Sequence, residues 1–307
     1  MNNEKSGALW VVGSFLIWGF MPIYWKHLDH VQSAEILTGR IVWAFIFTFL
    51  AVMIVRDGRR LMADFKELWK NKKQFWGLYL ASLLITTNWF IYIWAVNHEF
   101  IVQTSLGYYI NPLVSVLLGV FFLKEKLSNA QKTAFLLAVA GVTILTISYG
   151  KIPWIAIGLA LSFSFYGFIK KSIRLDALRG LAIETFFIVP FAAGYYIWLF
   201  VRKDAVFLHS DFKTDILLIL TGIATALPLV MYAKGVQMIP LYVAGFIQYI
   251  APTMMLILGV FMYKESFGKM EFLSFSIIWT ALIIFTISKV YESVLVRRNA
   301  HTLENSR

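Results

Sequence analysis

The stretch YYINPLVSVLLGVFFLKEK at residues 108–126 recurs 140 positions later as QYIAPTMMLILGVFMYKES at residues 248–266. The two copies are identical at 9 of 19 positions, whereas a shared apolar composition alone would give about two matches. Each copy is a long uncharged run that is followed by a Lys-Glu pair. A helix needs about 20 such residues to cross a bilayer. The chain therefore contains one membrane-spanning sequence twice.

The duplication extends beyond this one helix. The same register continues backward through Tyr92 and Tyr232, and a weaker similarity places SFLIWGF at residues 14–20 opposite SFSFYGF at residues 162–168. Apolar runs between charged, proline or asparagine residues divide the chain into ten predicted spans. These spans are 7–25, 34–55, 75–96, 101–123, 130–148, 153–169, 180–200, 214–233, 241–263 and 271–289. Each half of the chain thus contains five spans.

Five is an odd number, so the second half must enter the membrane inverted relative to the first. The Lys124-Glu125 pair would then lie on the cytoplasmic side and the Lys264-Glu265 pair outside. Inverted repeats are typical of secondary transporters, whose binding sites lie near the membrane midplane between the copies. The alternative is a duplication that serves stable folding alone. We predict an all-α membrane protein with ten transmembrane helices in two inverted five-helix repeats.

The composition and charge also indicate a membrane protein. Of the 307 residues, 59% are hydrophobic and 15% are charged, with a mean hydropathy of +0.71. Soluble domains average about 45–50% apolar and about 25% charged residues. The net charge of +11 does not indicate nucleic-acid binding, because Lys and Arg cluster between apolar runs. With a cytoplasmic N-terminus, 20 of the 28 Lys and Arg are cytoplasmic and 7 lie outside, which predicts that both termini are cytoplasmic.

The predicted domains follow from the repeat. The first repeat covers residues 1–148, the second covers 153–289, and a polar cytoplasmic tail follows at 290–307. The N-terminal apolar run is interpreted as the first, uncleaved span. Segment 56–73 is too polar to cross the membrane and predicts an amphipathic surface helix. The apolar face of that helix would carry Leu61, Phe65, Leu68 and Trp69.

A proline lies at the centre of spans four and nine. Pro112 and Pro252 each lack an amide donor and crowd the carbonyl group four residues earlier, that of Tyr108 or Gln248. Both helices are therefore expected to bend near the midplane, where freed carbonyl groups could bind a substrate or an ion. The alternative is a packing kink satisfied by a neighbouring helix. The presence of a proline at this position in both copies favours a functional hinge.

Three of the charged residues within the predicted spans are candidates for function. Arg40 lies about 9 Å along span two, at about 1.5 Å per residue, and faces either an interior cavity or the outer interface. Glu35 and Glu184 correspond at an offset of 149 positions and lie near opposite mouths of the bundle. Both are candidates for a gate or for proton coupling. The alternative for Glu184 is a helix-start carboxylate favoured by the helix dipole.

Polar and aromatic residues are concentrated in spans three, four, eight and nine. Some must form hydrogen bonds between helices, worth about 0.6 kcal/mol each, but their concentration also predicts a central substrate cavity that Arg40 would share. Trp25 and Trp69, near predicted membrane surfaces, are interpreted as interface anchors. The cavity candidates from these spans are Asn88, Tyr92, Tyr108, Tyr109, Asn111, Tyr232, Gln248 and Tyr249.

These features resemble the EamA family of the drug/metabolite transporter superfamily and, within it, the RarD-type proteins. The resemblance covers nearly the whole chain. It is carried by Trp18-Gly19, EILTGRIVW at residues 35–43, the repeated span-four stretch and RGLAIETFFIVP at residues 179–190. It implies a ten-helix exporter or permease of small metabolites or drugs in the bacterial inner (cytoplasmic) membrane. It also adds Trp18 to the cavity candidates and supports Arg40.

Other activities lack their sequence signatures. The chain has no G-x-x-x-x-G-K-[ST] motif for ATP, no catalytic His or Ser motif and no cysteine. We therefore expect no cofactor, no catalytic or metal site, and neither ATP nor nucleic acid as a partner. The favoured function is secondary active transport by alternating access. The expected partners are a small-molecule substrate and the surrounding lipid bilayer, and protons are the candidate coupling ion. A passive channel, a lipid scramblase and, less favoured, a membrane-embedded enzyme are the alternatives.

Overall fold

The computed structural model describes residues 2–98, 100–264 and 268–304, and in these residues every regular element is a helix. Glu265 lies outside the described residues. The first half contains α1 (Asn2–Lys26), α2 (Ser33–Ile54), α3 (Gly58–Lys70), α4 (Lys72–Asn97), α5 (Ile101–Phe122) and α6 (Asn129–Tyr149). The second half contains α7 (Trp154–Ser172), α8 (Ala177–Arg202), α9 (Phe212–Met238), α10 (Leu241–Gln248), α11 (Ile250–Ile257), a π-helical turn (Leu258–Met262) and α12 (Lys269–Glu304). The predicted all-α class is confirmed.

Nine helical segments in the described part of the chain are long and apolar enough to cross a membrane, and they coincide with nine of the ten predicted spans. The tenth, predicted at 153–169, coincides with α7, which ends in Lys170-Lys171-Ser172. Helix α7 packs in the interior against α4, α5 and α9. Because neighbouring helices cover much of it, α7 can carry polar residues that a lipid-facing helix would exclude.

The helix packing has the same pattern when the two halves are exchanged. Helix α1 packs against α9, and their counterparts α7 and α4 pack against each other. Helix α5 packs against α7, and the counterparts α10–α11 and α1 do the same. Each of the counterpart pairs α2–α8, α5–α10 and α6–α12 is in direct contact. The largest buried apolar cluster therefore lies where the halves meet.

Helices α6 and α12 run antiparallel. Ser128 Oγ, just before α6, lies 3.1 Å from Ser288 Oγ, late in α12. Gly141, further along α6, packs against Ile278, earlier in α12. Residue numbers thus rise along one helix as they fall along the other.

Helix α5 and the α10–α11 segment are also antiparallel. Tyr109 Oη, in the first half of α5, donates to the carbonyl oxygen of Pro252 in α11 at 3.0 Å. Glu125, just after α5, contacts Leu241 at the start of α10. Two counterpart pairs from the repeat therefore pack with opposite chain directions.

The two mid-span prolines differ in their local effect. Helix α5 is continuous through Pro112, whereas the second copy is divided at Tyr249, just before Pro252, into α10 and α11. At the crossing of the copies, a Cβ on Gly245 would lie 2.9 Å from the Pro112 carbonyl oxygen. A glycine lets the two backbones approach this closely. The helix is thus interrupted in the second copy alone.

The predicted amphipathic surface helix is present as α3. Leu68 is buried and, with Leu61 and Phe65, joins an apolar cluster that includes residues of α4 and α8. Trp69, the fourth residue assigned to this face, is 59% exposed. Trp69 follows Phe65 by four residues, so at about 100° per residue the two side chains lie on adjoining parts of the helix surface.

Residues 290–304, expected to form a polar tail, continue α12 as a helix to Glu304. The segment contains neither proline nor glycine, the two residue types that most strongly interrupt helices. The polar composition therefore did not mark the end of the helix.

Candidate functional site

A cavity lies between the two halves, with an empty volume of about 1020 Å³ that includes space open to solvent. Its walls come from α1, α2, α4 and α5 of the first half and from α7, α9, α10 and α11 of the second. Pro252 also borders it. Seven of the ten predicted cavity residues line it, namely Trp18, Arg40, Asn88, Tyr92, Tyr108, Asn111 and Gln248.

The other three candidates lie in the packed interior beside the cavity. Tyr109 Oη donates to the Pro252 carbonyl oxygen at 3.0 Å, and its counterpart Tyr249 donates to the Tyr109 carbonyl oxygen at 3.3 Å. Tyr232 is fully buried, with its ring centroid 5.7 Å from that of Phe15. These tyrosines support the cavity wall from behind.

Arg40 extends from α2 to the cavity. Its guanidinium carbon lies 4.9 Å from the ring centroid of Trp25 and 4.8 Å from that of Trp89. Its Nε donates to Thr225 Oγ1 at 3.0 Å. Of the two orientations that the sequence left open, the side chain adopts the interior one. Helices α1, α4 and α9 thus hold one cation beside the empty space.

Sequence reasoning missed part of this arrangement. Trp25 was interpreted as an interface anchor, but it lines the cavity and contacts Arg40. Its distance of seven positions from Trp18 could have revealed it, because residues seven apart share one face of a helix. Trp89 and Thr225 carry no such signal, since neither stands out from the apolar residues around it.

An aromatic wall, formed by Phe15, Trp18 and Phe163, borders the same cavity. The ring centroids of Phe15 and Trp18 are 5.0 Å apart, and those of Trp18 and Phe163 are 5.6 Å apart. Both pairs are edge-to-face, a favoured geometry for aromatic rings. The wall offers a broad apolar surface to a bound molecule.

Two asparagines of the lining connect the halves. Asn88 Nδ2 on α4 donates to the Leu159 carbonyl oxygen and to Ser162 Oγ, both at 2.9 Å. Asn111 Oδ1 on α5 accepts a hydrogen bond from Ser164 Oγ at 2.5 Å. All three partners belong to α7. The second half therefore orients polar groups that the first half contributes.

Gln248, Tyr92 and Tyr108 complete the predicted polar lining. Gln248 Nε2 donates to Ser115 Oγ on α5 at 3.1 Å. The rings of Tyr92 and Tyr108 are edge-to-face, with centroids 6.1 Å apart. Within the described residues their hydroxyl groups have no hydrogen-bond partner, so both can donate to a molecule in the cavity.

Glu184 lies outside the lining, in a buried ion pair. Lys170 Nζ donates to its carboxylate, and Tyr166 Oη donates to it at 3.3 Å. Glu184 and Lys170 are each 1% exposed. The predicted span ended at residue 169, but α7 continues to Ser172, so that Lys170 belongs to the helix and is buried.

Glu35 also lies outside the lining and is buried. Its carboxylate accepts hydrogen bonds from the backbone N–H groups of Val206 and Phe207 at 2.9–3.0 Å. It therefore ties α2 to the segment after α8. Glu35 and Glu184, aligned by sequence, have different partners, and neither is paired with Arg40.

Glu125 belongs to the repeated stretch but was not among the predicted site residues. Its carboxylate accepts hydrogen bonds from the N–H groups of Leu241 at 2.7 Å and Tyr242 at 2.9 Å, the first residues of α10. A negative charge is favourable at a helix N-terminus. Lys171 Nζ lies 3.9 Å from the same carboxylate. The Lys-Glu pair shared by both copies was the signal that could have identified it.

A further ion cluster lies near the same end of α7. Arg179, at the start of α8, binds Asp57 at 2.7 Å and Asp64 at 2.5 Å. Asp64 is in α3 of the first half. Together with Glu125, this cluster joins the two halves beyond the C-terminal end of α7.

These observations define a multi-pass, all-helical membrane protein with a cavity between its two halves. The profile of the EamA-like transporter family matches this chain twice, at residues 5–147 and 151–287. The chain belongs to that family. It is a membrane transporter.

Known relatives cover almost the full length. The "Uncharacterized transporter YojE" of Bacillus subtilis is 46% identical over 288 residues, which cover 94% of this chain and 96% of the relative. "Protein RarD" of Escherichia coli is 38% identical over 292 residues, which cover 94% and 96%. A solved crystal structure superimposes with a TM-score of 0.68 at 16% identity, covering 92% of this chain and 98% of that one. The relatives identify a RarD-type transporter, and the solved structure supports the fold alone.

Proposed function

We propose that this protein is a secondary active transporter that exports a small metabolite or drug across the bacterial cytoplasmic membrane by alternating access. The observation that carries this proposal is a cavity lined by both halves, with ion pairs joining the halves near one end of it. Alternating access requires a central site that opens to one side at a time as the halves rock against each other.

Ten spans in two inverted repeats are part of the proposal, with α7 as the tenth span. Counterpart helices run antiparallel where they pack, as in α6–α12 and in α5 with α10–α11. Two copies related by a two-fold axis in the membrane plane produce this arrangement. The separate family match to each half supports the same division.

With a cytoplasmic N-terminus, the cavity belongs to an outward-facing state. Trp25 lies near the outer end of α1, and Arg40 lies in the outer half of α2. Glu125 and Arg179 then lie at the cytoplasmic end, where their contacts with the other half close the bundle. Export would begin when these contacts separate and the site becomes accessible from the cytoplasm.

The Lys170–Glu184 pair, whose two residues both belong to the second half, is the proposed site of proton coupling. A buried carboxylate that loses its ammonium partner must find another cation or take up a proton. A rearrangement within the second half that separates the pair would change the charge state of Glu184, and protons remain the proposed coupling ion. Glu35, hydrogen-bonded to two backbone N–H groups, is proposed to steady the outer end of α2.

Reversible cross-linking of the two halves tests alternating access. Asp64→Cys on α3 with Arg179→Cys on α8 can be joined by a bis-methanethiosulfonate reagent, because the chain has no native cysteine. In proteoliposomes, counterflow of small metabolites and drugs should stop on cross-linking and return on reduction. Each single-cysteine variant, treated in the same way, is the matched control.

The same assay separates the alternatives. A passive channel or scramblase gives flux without counterflow, and an enzyme gives neither. Full counterflow by the cross-linked protein would contradict the rocking mechanism.

A further inference from the structure

The cavity carries a single formal charge. Among the described residues that line it, Arg40 is the one with a charged side chain, and there is no Asp, Glu, Lys or His. A charge inside a membrane span costs about 2.5–3.5 kcal/mol on insertion scales unless it is compensated. The cavity therefore favours a molecule that brings one negative charge.

The guanidinium group is held in place but is not neutralised. Its Nε is bonded to Thr225, and the rings of Trp25 and Trp89 lie close to its carbon. Among the described residues its two terminal amino groups have no hydrogen-bond acceptor, and no carboxylate lies within 4.0 Å. The neighbouring carboxylate in sequence, Glu35, accepts backbone hydrogen bonds elsewhere.

Two free amino groups on a planar guanidinium match the two oxygens of a carboxylate. Such bidentate bonds are short and charge-assisted. A phosphate monoester fits less well, because it carries about −1.5 to −2 charges at neutral pH and the lining supplies one positive charge. The anion that the cavity can neutralise is a monocarboxylate.

The rest of the lining indicates the chemistry of the remaining part of the bound molecule. The aromatic wall presents three rings, and Tyr92 and Tyr108 present hydroxyl groups without protein partners. The described lining offers no carboxylate to receive an ammonium group. An amino acid would therefore leave its ammonium group without an ionic partner.

We infer that the cavity binds a small aromatic carboxylate without an amino group, with its carboxylate on Arg40 and its ring against Phe15, Trp18 and Phe163. The inference rests on the proposed function, since it names the substrate class of that same cavity. It also sets a charge order, in which the anion binds most tightly, the zwitterion less and the cation least.

Three ligands with one indole ring test this order on the purified, full-length protein. Indole-3-propionate is an anion, tryptophan a zwitterion and tryptamine a cation at neutral pH. Isothermal titration in nanodiscs should give an affinity for indole-3-propionate at least about tenfold above that for tryptophan, with tryptamine weakest, because an unpaired charge in such a site is costly.

Arg40→Gln should lower the indole-3-propionate affinity at least about tenfold and remove the charge order. Arg40→Lys should give an intermediate affinity, because lysine keeps the charge but not the planar fork. Arg202→Gln is the matched control. Arg202 also lies over a tryptophan ring, 4.7 Å from the centroid of Trp198, but outside the cavity lining.

The wild-type comparison decides the inference even where a variant fails to fold. Equal or tighter binding of tryptophan or tryptamine would overturn it, as would unchanged anion binding by folded Arg40→Gln or no binding of any of the three ligands. A counterflow assay distinguishes a failure of this inference from a failure of the proposed function. Anion binding without flux would refute transport alone, and flux of other compounds without anion binding would refute the substrate class alone.

Discussion

At Gly167 the absence of a side chain makes room for a buried tyrosine. A Cβ at this position would lie 2.1 Å from the hydroxyl oxygen of Tyr232. Tyr232 cannot withdraw easily, because Phe15, Phe163 and Tyr166 surround its ring. A single missing methyl group therefore sets the distance between α7 and α9 beside the cavity.

Gly167→Ala should destabilise the protein by about 1–3 kcal/mol, the usual cost of overpacking a core. Gly194→Ala in α8 is the matched control, because no atom lies within 4 Å of its Cβ position, and a small gain of up to about 1 kcal/mol is expected from helix propensity. Thermal unfolding in detergent measures both. Equal unfolding temperatures for the two variants would contradict the close packing at Gly167.

The Lys170–Glu184 pair should behave as a coupled unit. Lys170→Met leaves a buried carboxylate without its cation and should cost about 3–5 kcal/mol, whereas the double variant Lys170→Met/Glu184→Gln should recover part of that loss. Unfolding of the wild type, both single variants and the double variant gives the coupling energy. Additive single effects would show that the two groups do not interact.

Between helices, the carboxylate of Glu125 contacts the start of α10. One carboxylate satisfies two of the N–H groups that a helix leaves without partners at its N-terminus. Its position just after α5 means that the end of α5 holds the beginning of the counterpart helix α10. In the proposed mechanism this contact helps to close the cytoplasmic end.

Glu125→Gln should weaken that closure, because an amide has one acceptor oxygen and no charge for two N–H donors. A buried reporter cysteine, Ser115→Cys, should then react faster with a thiol reagent added from the cytoplasmic side. Glu67→Gln removes an exposed carboxylate on α3 and is the control. Identical labelling rates in the Glu125 and Glu67 variants would count against a closing role.

Across the whole molecule, the two copies of the repeat also share a backbone conformation at the ends of counterpart spans. Lys124 has φ 55° and Lys264 has φ 59°, both in the left-handed region. Two residues 140 positions apart thus end their helices in the same way. Under the inverted topology they do so on opposite sides of the membrane.

Single-cysteine labelling tests this topology. An impermeant thiol reagent should label Lys264→Cys in intact cells and Lys124→Cys after the membrane is made permeable, because the two spans cross in opposite directions. The chain without cysteine provides the background control. Labelling of both positions from one side would exclude the inverted arrangement.

Sequence alone determined the helical class, the approximate position of nine spans and the duplication, because these depend on local hydropathy and on residue identity at a fixed offset. It also located Trp18 and Arg40, since a motif and an isolated charge stand out in an apolar run. The polar residues Asn88, Asn111 and Gln248 were identified for the same reason.

The tertiary structure decided which side chains share the cavity. Whether Trp25 faces lipid or Arg40, whether Lys170 is in a loop or buried against Glu184, and which N–H groups Glu125 binds all depend on neighbours distant in the chain. The hydropathy of a residue is the same in each of these places. Only the packing of the two halves sets its neighbours, and those neighbours determine whether a charged or aromatic side chain binds, supports or closes the site.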